Sequence, residues 1–142
     1  MPDITETVRI AKAADPLWRK IGTFGAVGAW HPMLAKVECD GERPGALRTA
    51  YGKDGSVQVE RLVEERPDDR AYCYEMVSTG MPVENYVAEL RVEDMDGRTS
   101  RVRWHAAFEV TSGDEASVVA GIRAFLRAGL KNLANRLGRQ PA

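Results

Sequence analysis

The hydrophobic period of this chain switches near Ser112, and that switch limits the folds open to it. Before it, apolar and polar residues alternate. Tyr86, Ala88, Leu90 and Val92 interleave with Val87, Glu89, Arg91 and Glu93, and Val102, Trp104, Ala106, Phe108 and Val110 with Arg101, Arg103, His105, Ala107 and Glu109. A period of two with one charged face describes strands whose sheet is covered on one side only. After the switch, Val118, Ile122, Phe125, Leu126, Leu130, Leu133 and Leu137 recur at three- and four-residue steps. That spacing predicts an amphipathic helix from about Asp114 to Leu137. Ser112 or Asp114 is placed to cap it and Gly138 to end it. No other segment is long enough to cover the open face of so many strands.

The strands are delimited by turn chemistry. Asp40-Gly41, Gly52-Lys53-Asp54-Gly55, Pro67-Asp68-Asp69, Gly80-Met81-Pro82 and Asp96-Gly97 break the middle of the chain at strand spacing. Between them lie strands at about Leu34–Cys39, Ala46–Tyr51, Val57–Glu65, Ala71–Ser78, Tyr86–Glu93 and Thr99–Val110. The connections are short, so neighbouring strands form antiparallel hairpins. A further strand is expected over Thr7-Val8-Arg9-Ile10-Ala11. Ala14-Asp15-Pro16 reads as a helix start, with Asp15 capping and Pro16 in the first helical position. Leu17, Trp18 and Ile21 form the apolar side of that helix. A second short helix over Ala26–Trp30 must stop near His31, because Pro32 disfavours helical geometry before it.

A chain of 142 residues suits one domain, here 1–142, and can bury a core without metal or disulfide staples. Its 20 basic and 21 acidic residues create no global field for nucleic acid or anionic membrane. Integral membrane association is not expected, because no apolar run approaches a span. The start Met1-Pro2-Asp3-Ile4-Thr5-Glu6-Thr7 has no basic, apolar signal-peptide character, so the expected location is cytoplasmic. Cys39 and Cys73 are far apart and read as free, partly buried thiols. The P-loop, GxGxxG and GxSxG patterns and acidic pairs at metal-motif spacing are all missing. No metal or other cofactor is expected.

Several local features carry a resemblance. They are Trp30-His31-Pro32, Pro44-Gly45-Ala46-Leu47-Arg48-Thr49, Glu60-Arg61-Leu62, Met81-Pro82-Val83-Glu84-Asn85-Tyr86, the isolated Trp104 and Ala128-Gly129-Leu130, in this order. From about Val8 to Leu137 the chain resembles the SRPBCC, or START-like, proteins related to the birch pollen allergen and to the polyketide cyclase/dehydrase and lipid-transport group. The resemblance implies an α+β helix-grip fold: a seven-stranded curved antiparallel sheet around a long C-terminal helix, with two short helices after the first strand. It also implies a tapering cavity for a hydrophobic small molecule. It does not imply one activity, since the superfamily includes carriers, receptors, aromatase/cyclases, oxygenase domains and chaperone activators. The oxygenase-type iron site of His and carboxylate ligands does not carry over, because the chain has only His31 and His105 and the latter falls on the outward face.

The central local question is whether Arg48 meets Glu60. If Lys53-Asp54-Gly55 is a three-residue loop with Gly55 in the left-handed bulge position, Gly52 faces Ser56 and Arg48 lies opposite Glu60. A two-residue turn would shift the register and separate them. The pair would be either a structural ion pair on the wall or a polar spot offered to a ligand. A buried carboxyl without a cation keeps its proton and can act as an acid, while one beside an arginine stays a carboxylate. Pairing with Arg48 therefore argues against Glu60, a candidate catalytic residue, as a proton donor.

His31 is the other catalytic candidate. It is either a cavity-facing group that moves protons near neutrality or a ring packed at the helix-to-strand corner, satisfying loop carbonyls. Trp30, Tyr74, Tyr86, Trp104 and Phe125 are the aromatic candidates for the cavity wall, or for ordinary core. Met33 and Met81-Pro82-Val83 suit an adaptable apolar rim. Arg123, Arg127 and Lys131 read as a solvated helix stripe. Two functions follow as expectations: a carrier or sensor of a hydrophobic molecule, or a cyclase/dehydratase in which His31 moves protons and Arg48 or Tyr86 steadies an enolate-like oxygen. A protein-interaction domain has less support, and a homodimer is left open.

Overall fold

The computed structural model describes residues 1–138. Seven strands form one antiparallel sheet: β1 Asp3–Ile10, β2 Leu34–Cys39, β3 Leu47–Gly52, β4 Val57–Arg66, β5 Ala71–Ser78, β6 Val83–Asp94 and β7 Ser100–Val110. Their order across the sheet is β1-β7-β6-β5-β4-β3-β2, so every neighbour pair but β1–β7 is a sequential hairpin. Helix α1 (Ala14–Ile21), a 3-10 turn at Phe24–Ala26 and helix α2 (Val27–Trp30) lie between β1 and β2. Helix α3 (Glu115–Leu137) closes the concave face. The arrangement is the expected helix grip.

The alternation sets the faces as expected. Tyr86, Ala88, Leu90, Val92, Val102, Trp104, Ala106 and Phe108 are all buried, and Ile122, Leu126, Leu130 and Leu133 of α3 bury against them. Curvature comes from irregularities that the alternation does not reveal. The β4–β5 register shifts between Val59 and Glu60 and again between Leu62 and Glu64. The β6–β7 register shifts between Glu84 and Val87, where Asn85 has φ +52°. Extra residues of this kind bend and twist a strand.

Three local expectations change. The first strand begins at Asp3, because Ile4 and Val8 pair with Ala106 and Val102 on β7 and extend the ladder. Asp15 does not cap α1; Ala13 holds that position, and Asp15 accepts from Arg70 Nε at 2.7 Å instead. Arg123 and Arg127 are not simply a solvated stripe. Both donate to Glu6 of β1, Arg127 Nε at 2.7 Å, and this clamps α3 onto the sheet edge. The cysteines are free; Cys73 is half-buried as expected, but Cys39 is exposed rather than partly buried.

Of the expected ends of α3 the stop holds, but the side-chain cap is not made, since Asp114 gives no capping bond to the helix backbone. Asp114 is the residue before α3, and its carboxylate takes the Ser117 hydroxyl at 2.6 Å. Gly138 ends the helix at φ +100°. His31 ends α2 in extended geometry ahead of Pro32.

Candidate functional site

Between the concave sheet face and α3 lies a cavity of about 510 Å³. That is within the range of small-molecule sites, roughly 300–1,000 Å³. Its floor is built from buried residues on the middle strands: Arg48 and Ala50 of β3, Glu60 of β4, Tyr74 of β5, Tyr86 of β6 and Trp104 of β7. From α3 come Gly121, Ile122 and Phe125. The mouth is formed by Pro32, Met33, Met81 and the β3–β4 hairpin tip.

That hairpin places the charged pair. Gly52 N–H donates to Ser56 O at 2.8 Å, Gly55 N–H donates to Gly52 O at 3.1 Å, and Gly55 has φ +90°. This is the three-residue bulged loop, and the register it imposes sets Arg48 opposite Glu60. Arg48 Nε donates to Glu60 Oε1 at 2.9 Å, and Nη2 lies 2.8 Å from the same oxygen. Arg48 Nη1 donates to Phe24 O at 2.7 Å and to the Tyr72 hydroxyl at 3.2 Å. The guanidinium carbon lies 4.1 Å from the centre of the Phe24 ring and 4.6 Å from that of Tyr74, so aromatic faces take up its remaining surface. Arg48 is 1% exposed. Burial works against its charge, but Glu60 and the adjoining tyrosines outweigh that and hold its pKa above the ordinary arginine value.

Glu60 is left asymmetric. Its Oε1 takes both contacts from Arg48, whereas Oε2 accepts no hydrogen bond from the described residues. Around it are two tyrosines. Tyr74 accepts from Trp104 Nε1 at 3.0 Å, and the Tyr86 hydroxyl makes no hydrogen bond to a described residue. Burial first, and then the charge of Glu60, raise the pKa of both phenols above the usual tyrosine value. Both therefore stay protonated near neutrality and serve as hydroxyl groups rather than phenolates.

The structure separates the sequence candidates. Arg48, Glu60, Tyr74, Tyr86, Trp104 and Phe125 all line the cavity. Trp30 and His31 do not. His31 Nδ1 accepts from Met33 N–H at 3.2 Å, which leaves the ring proton on Nε2 to donate to Phe125 O at 2.8 Å. Its ring stacks on Phe125 with centroids 3.9 Å apart, and burial lowers its pKa to about 4, against a smaller opposing effect of the Phe125 carbonyl. Of the two roles expected for His31, the geometry is that of the packed corner, with both nitrogens occupied by backbone. Trp30 packs behind Trp104, ring centres 5.5 Å apart, and its main-chain oxygen is held by Asn132 Nδ2 at 2.8 Å. It is wall behind the wall.

Sequence reasoning missed Gln58, which lines the cavity one step toward the mouth from Glu60. Its side-chain oxygen is buried without a partner. The period-two rule that joined Glu60 to Leu62 reaches Gln58 equally well. Phe24 and Tyr72, the other partners of Arg48, carry no local signal, because they come from distant segments. Among the described residues no three His, Cys, Asp or Glu side chains gather as a metal site, and no helix is long and apolar enough to cross a membrane.

A family model described as polyketide cyclase/dehydrase and lipid transport matches residues 1–138. No curated protein matches the chain. Among solved structures, the XoxI protein of Bacillus cereus is 24% identical with a TM-score of 0.89, covering 96% of each chain. A protein of Thermobifida fusca is 29% identical with a TM-score of 0.77, covering 100% of this chain and 99% of its own. The Zhui aromatase/cyclase of a Streptomyces species is 20% identical with a TM-score of 0.69, covering 96% of this chain and 88% of its own.

Proposed function

We propose, from the premise that the chain belongs to the polyketide cyclase/dehydrase and lipid transport family, that it binds a hydrophobic small molecule in the internal cavity and carries or senses it. The observation that supports this most is the cavity itself: about 510 Å³, walled mainly by apolar and aromatic side chains, with polar groups around Glu60 at the floor and at the Lys53-Asp54 hairpin tip at the mouth. Such a site derives its affinity from apolar burial and its orientation from a small number of polar contacts. In this reading Arg48, Glu60, Tyr74, Tyr86, Trp104 and Phe125 are ligand-contacting residues, and residues 1–142 act as one ligand-binding domain. We place the protein in the cytoplasm, whose reducing conditions suit its free Cys39 and Cys73, and assign it no nucleic-acid partner, on the balanced charge of the chain.

The cyclase/dehydratase reading is supported by the family description and by the fold shared with an aromatase/cyclase. Its chemistry would have to rest on Glu60 and the Tyr86 hydroxyl. His31 is spent on backbone contacts, and Arg48 is covered on its faces, donates three hydrogen bonds and is ion-paired to Glu60 through Nη2. The carrier reading needs no such group and is preferred.

Native mass spectrometry of protein purified without detergent tests the proposal. A co-purifying apolar molecule, or saturable binding of Nile red at a one-to-one ratio, is the expected result. Protein that emerges bare and takes up no apolar probe would overturn it.

A further inference from the structure

The polar groups of the cavity are unequal, and that inequality defines the ligand. This inference rests on the binding role proposed above. The cation of the pair is closed off: Arg48 is 1% exposed, and its guanidinium is engaged by Glu60, Phe24 O, the Tyr72 hydroxyl and two aromatic rings. The anion is open on one side, with Glu60 Oε2 in the cavity wall taking no hydrogen bond from any described residue. Two residues toward the mouth on the same strand face, the Gln58 side-chain oxygen is buried and also unpartnered. Positions two apart on a strand are about 7 Å apart by the ordinary rise. The polar stripe thus runs from Gln58 toward the mouth to Glu60 at the floor: Glu60 Oε2 is the acceptor open to the cavity, and the Gln58 oxygen is an unsatisfied acceptor just beneath its surface. The Tyr74 and Tyr86 hydroxyls beside it can donate or accept.

We infer that this cavity selects a neutral apolar molecule bearing a hydroxyl, phenolic or alcoholic, which donates to Glu60 Oε2, and that it refuses a compact ligand whose carboxylate must sit at that floor. A carboxylate brought to the floor would meet Glu60 in a site of low dielectric, where Arg48 is 1% exposed and already engaged; Lys53, the other cation lining the cavity, stands at the mouth. A hydroxyl donating to a carboxylate makes a charge-assisted hydrogen bond, stronger than one between neutral groups. A second hydroxyl nearer the entrance would reach Gln58.

Isothermal titration calorimetry with four compact probes at pH 7 tests this: 2-naphthol, 2-methoxynaphthalene, 2-naphthoate and 2,6-dihydroxynaphthalene. The naphthol should bind about tenfold more tightly than its methyl ether, the naphthoate more weakly than either, and the diol most tightly. Glu60→Gln should bring naphthol and naphthoate to within a few-fold of each other. Should that variant fail to fold with Arg48 left unpaired, Gln58→Leu is the second arm; it should weaken the diol more than the naphthol and so erase the difference between them. Equal affinities for naphthol and its ether, or naphthoate bound as tightly as naphthol, would overturn the inference while leaving the container intact. Failure of every probe to bind would overturn the binding role as well.

Discussion

Arg48 and Glu60 face each other across the β3–β4 hairpin, Nε to Oε1 at 2.9 Å, because Gly55 turns the chain with φ +90° and sets Gly52 against Ser56. A one-residue change in that loop would send one of the two to the outer face. The pair is thus a property of the turn as much as of its own charges.

Removing one partner should cost far more than removing both. Arg48→Met leaves a buried carboxylate unpaired and should destabilise the fold by about 3–5 kcal/mol. The double variant Arg48→Met, Glu60→Leu should recover most of that loss, because replacing a buried pair by apolar groups is often neutral. Urea unfolding of the singles and the double, arranged as a cycle, reads the coupling directly. Additive losses would mean that the pair does not act as a unit.

His31 should make stability sensitive to acid. Its folded pKa lies near 4, below the ordinary value of 6.5, so the unfolded chain binds the extra proton first. Stability is therefore full above about pH 6.5 and declines as pH falls toward 4, by up to about 3 kcal/mol from this group. His31→Gln should flatten that part of the profile. Unfolding midpoints measured from pH 4 to 7.5 in both proteins give the comparison, and parallel curves would remove His31 as the cause.

Gly129 is the seat of that imidazole. A Cβ built there would stand 2.5 Å from His31 Cδ2 and 3.0 Å from Trp30 Cζ3. Because the ring is held at both nitrogens it cannot swing aside, so Gly129→Ala should destabilise by about 1–3 kcal/mol despite the better helix propensity of alanine. A thermal or urea midpoint at or above wild type would show that the corner yields.

Gly121 offers the opposite case. It lines the cavity from α3, is exposed, and has no atom within 4 Å of an added Cβ. Gly121→Leu should keep or slightly raise stability, by up to about 1 kcal/mol from helix propensity. It should also slow Nile red uptake by narrowing the entrance. Stopped-flow mixing would detect the change, and an unaltered association rate would place the entrance elsewhere.

Much of this architecture was legible in local pattern. The period of two in Tyr86–Val92 and Val102–Val110 assigned the inner face, and the period in Val118–Leu137 supplied the helix that covers it. The Lys53-Asp54-Gly55 loop allowed the Arg48–Glu60 register to be stated as one of two alternatives. Each of these is a short-range consequence of side-chain direction or of a turn that only glycine adopts cheaply.

Other features depended on segments that meet only in three dimensions. His31 reads in Trp30-His31-Pro32 as either a cavity-facing imidazole or a packed corner, and it is Phe125 O, 94 positions along the chain, taking its proton, that makes it the corner. Phe24 O and Tyr72 close off Arg48, and Glu6 turns a helix stripe into a clamp. Whether a polar group is spent or available depends on which backbone and side-chain atoms reach it after folding. The sequence by itself determined the container and the charges on its wall. Only the tertiary structure decided that the arginine is closed, the histidine is occupied and one carboxylate oxygen is open, because hydrogen-bond saturation is a long-range property.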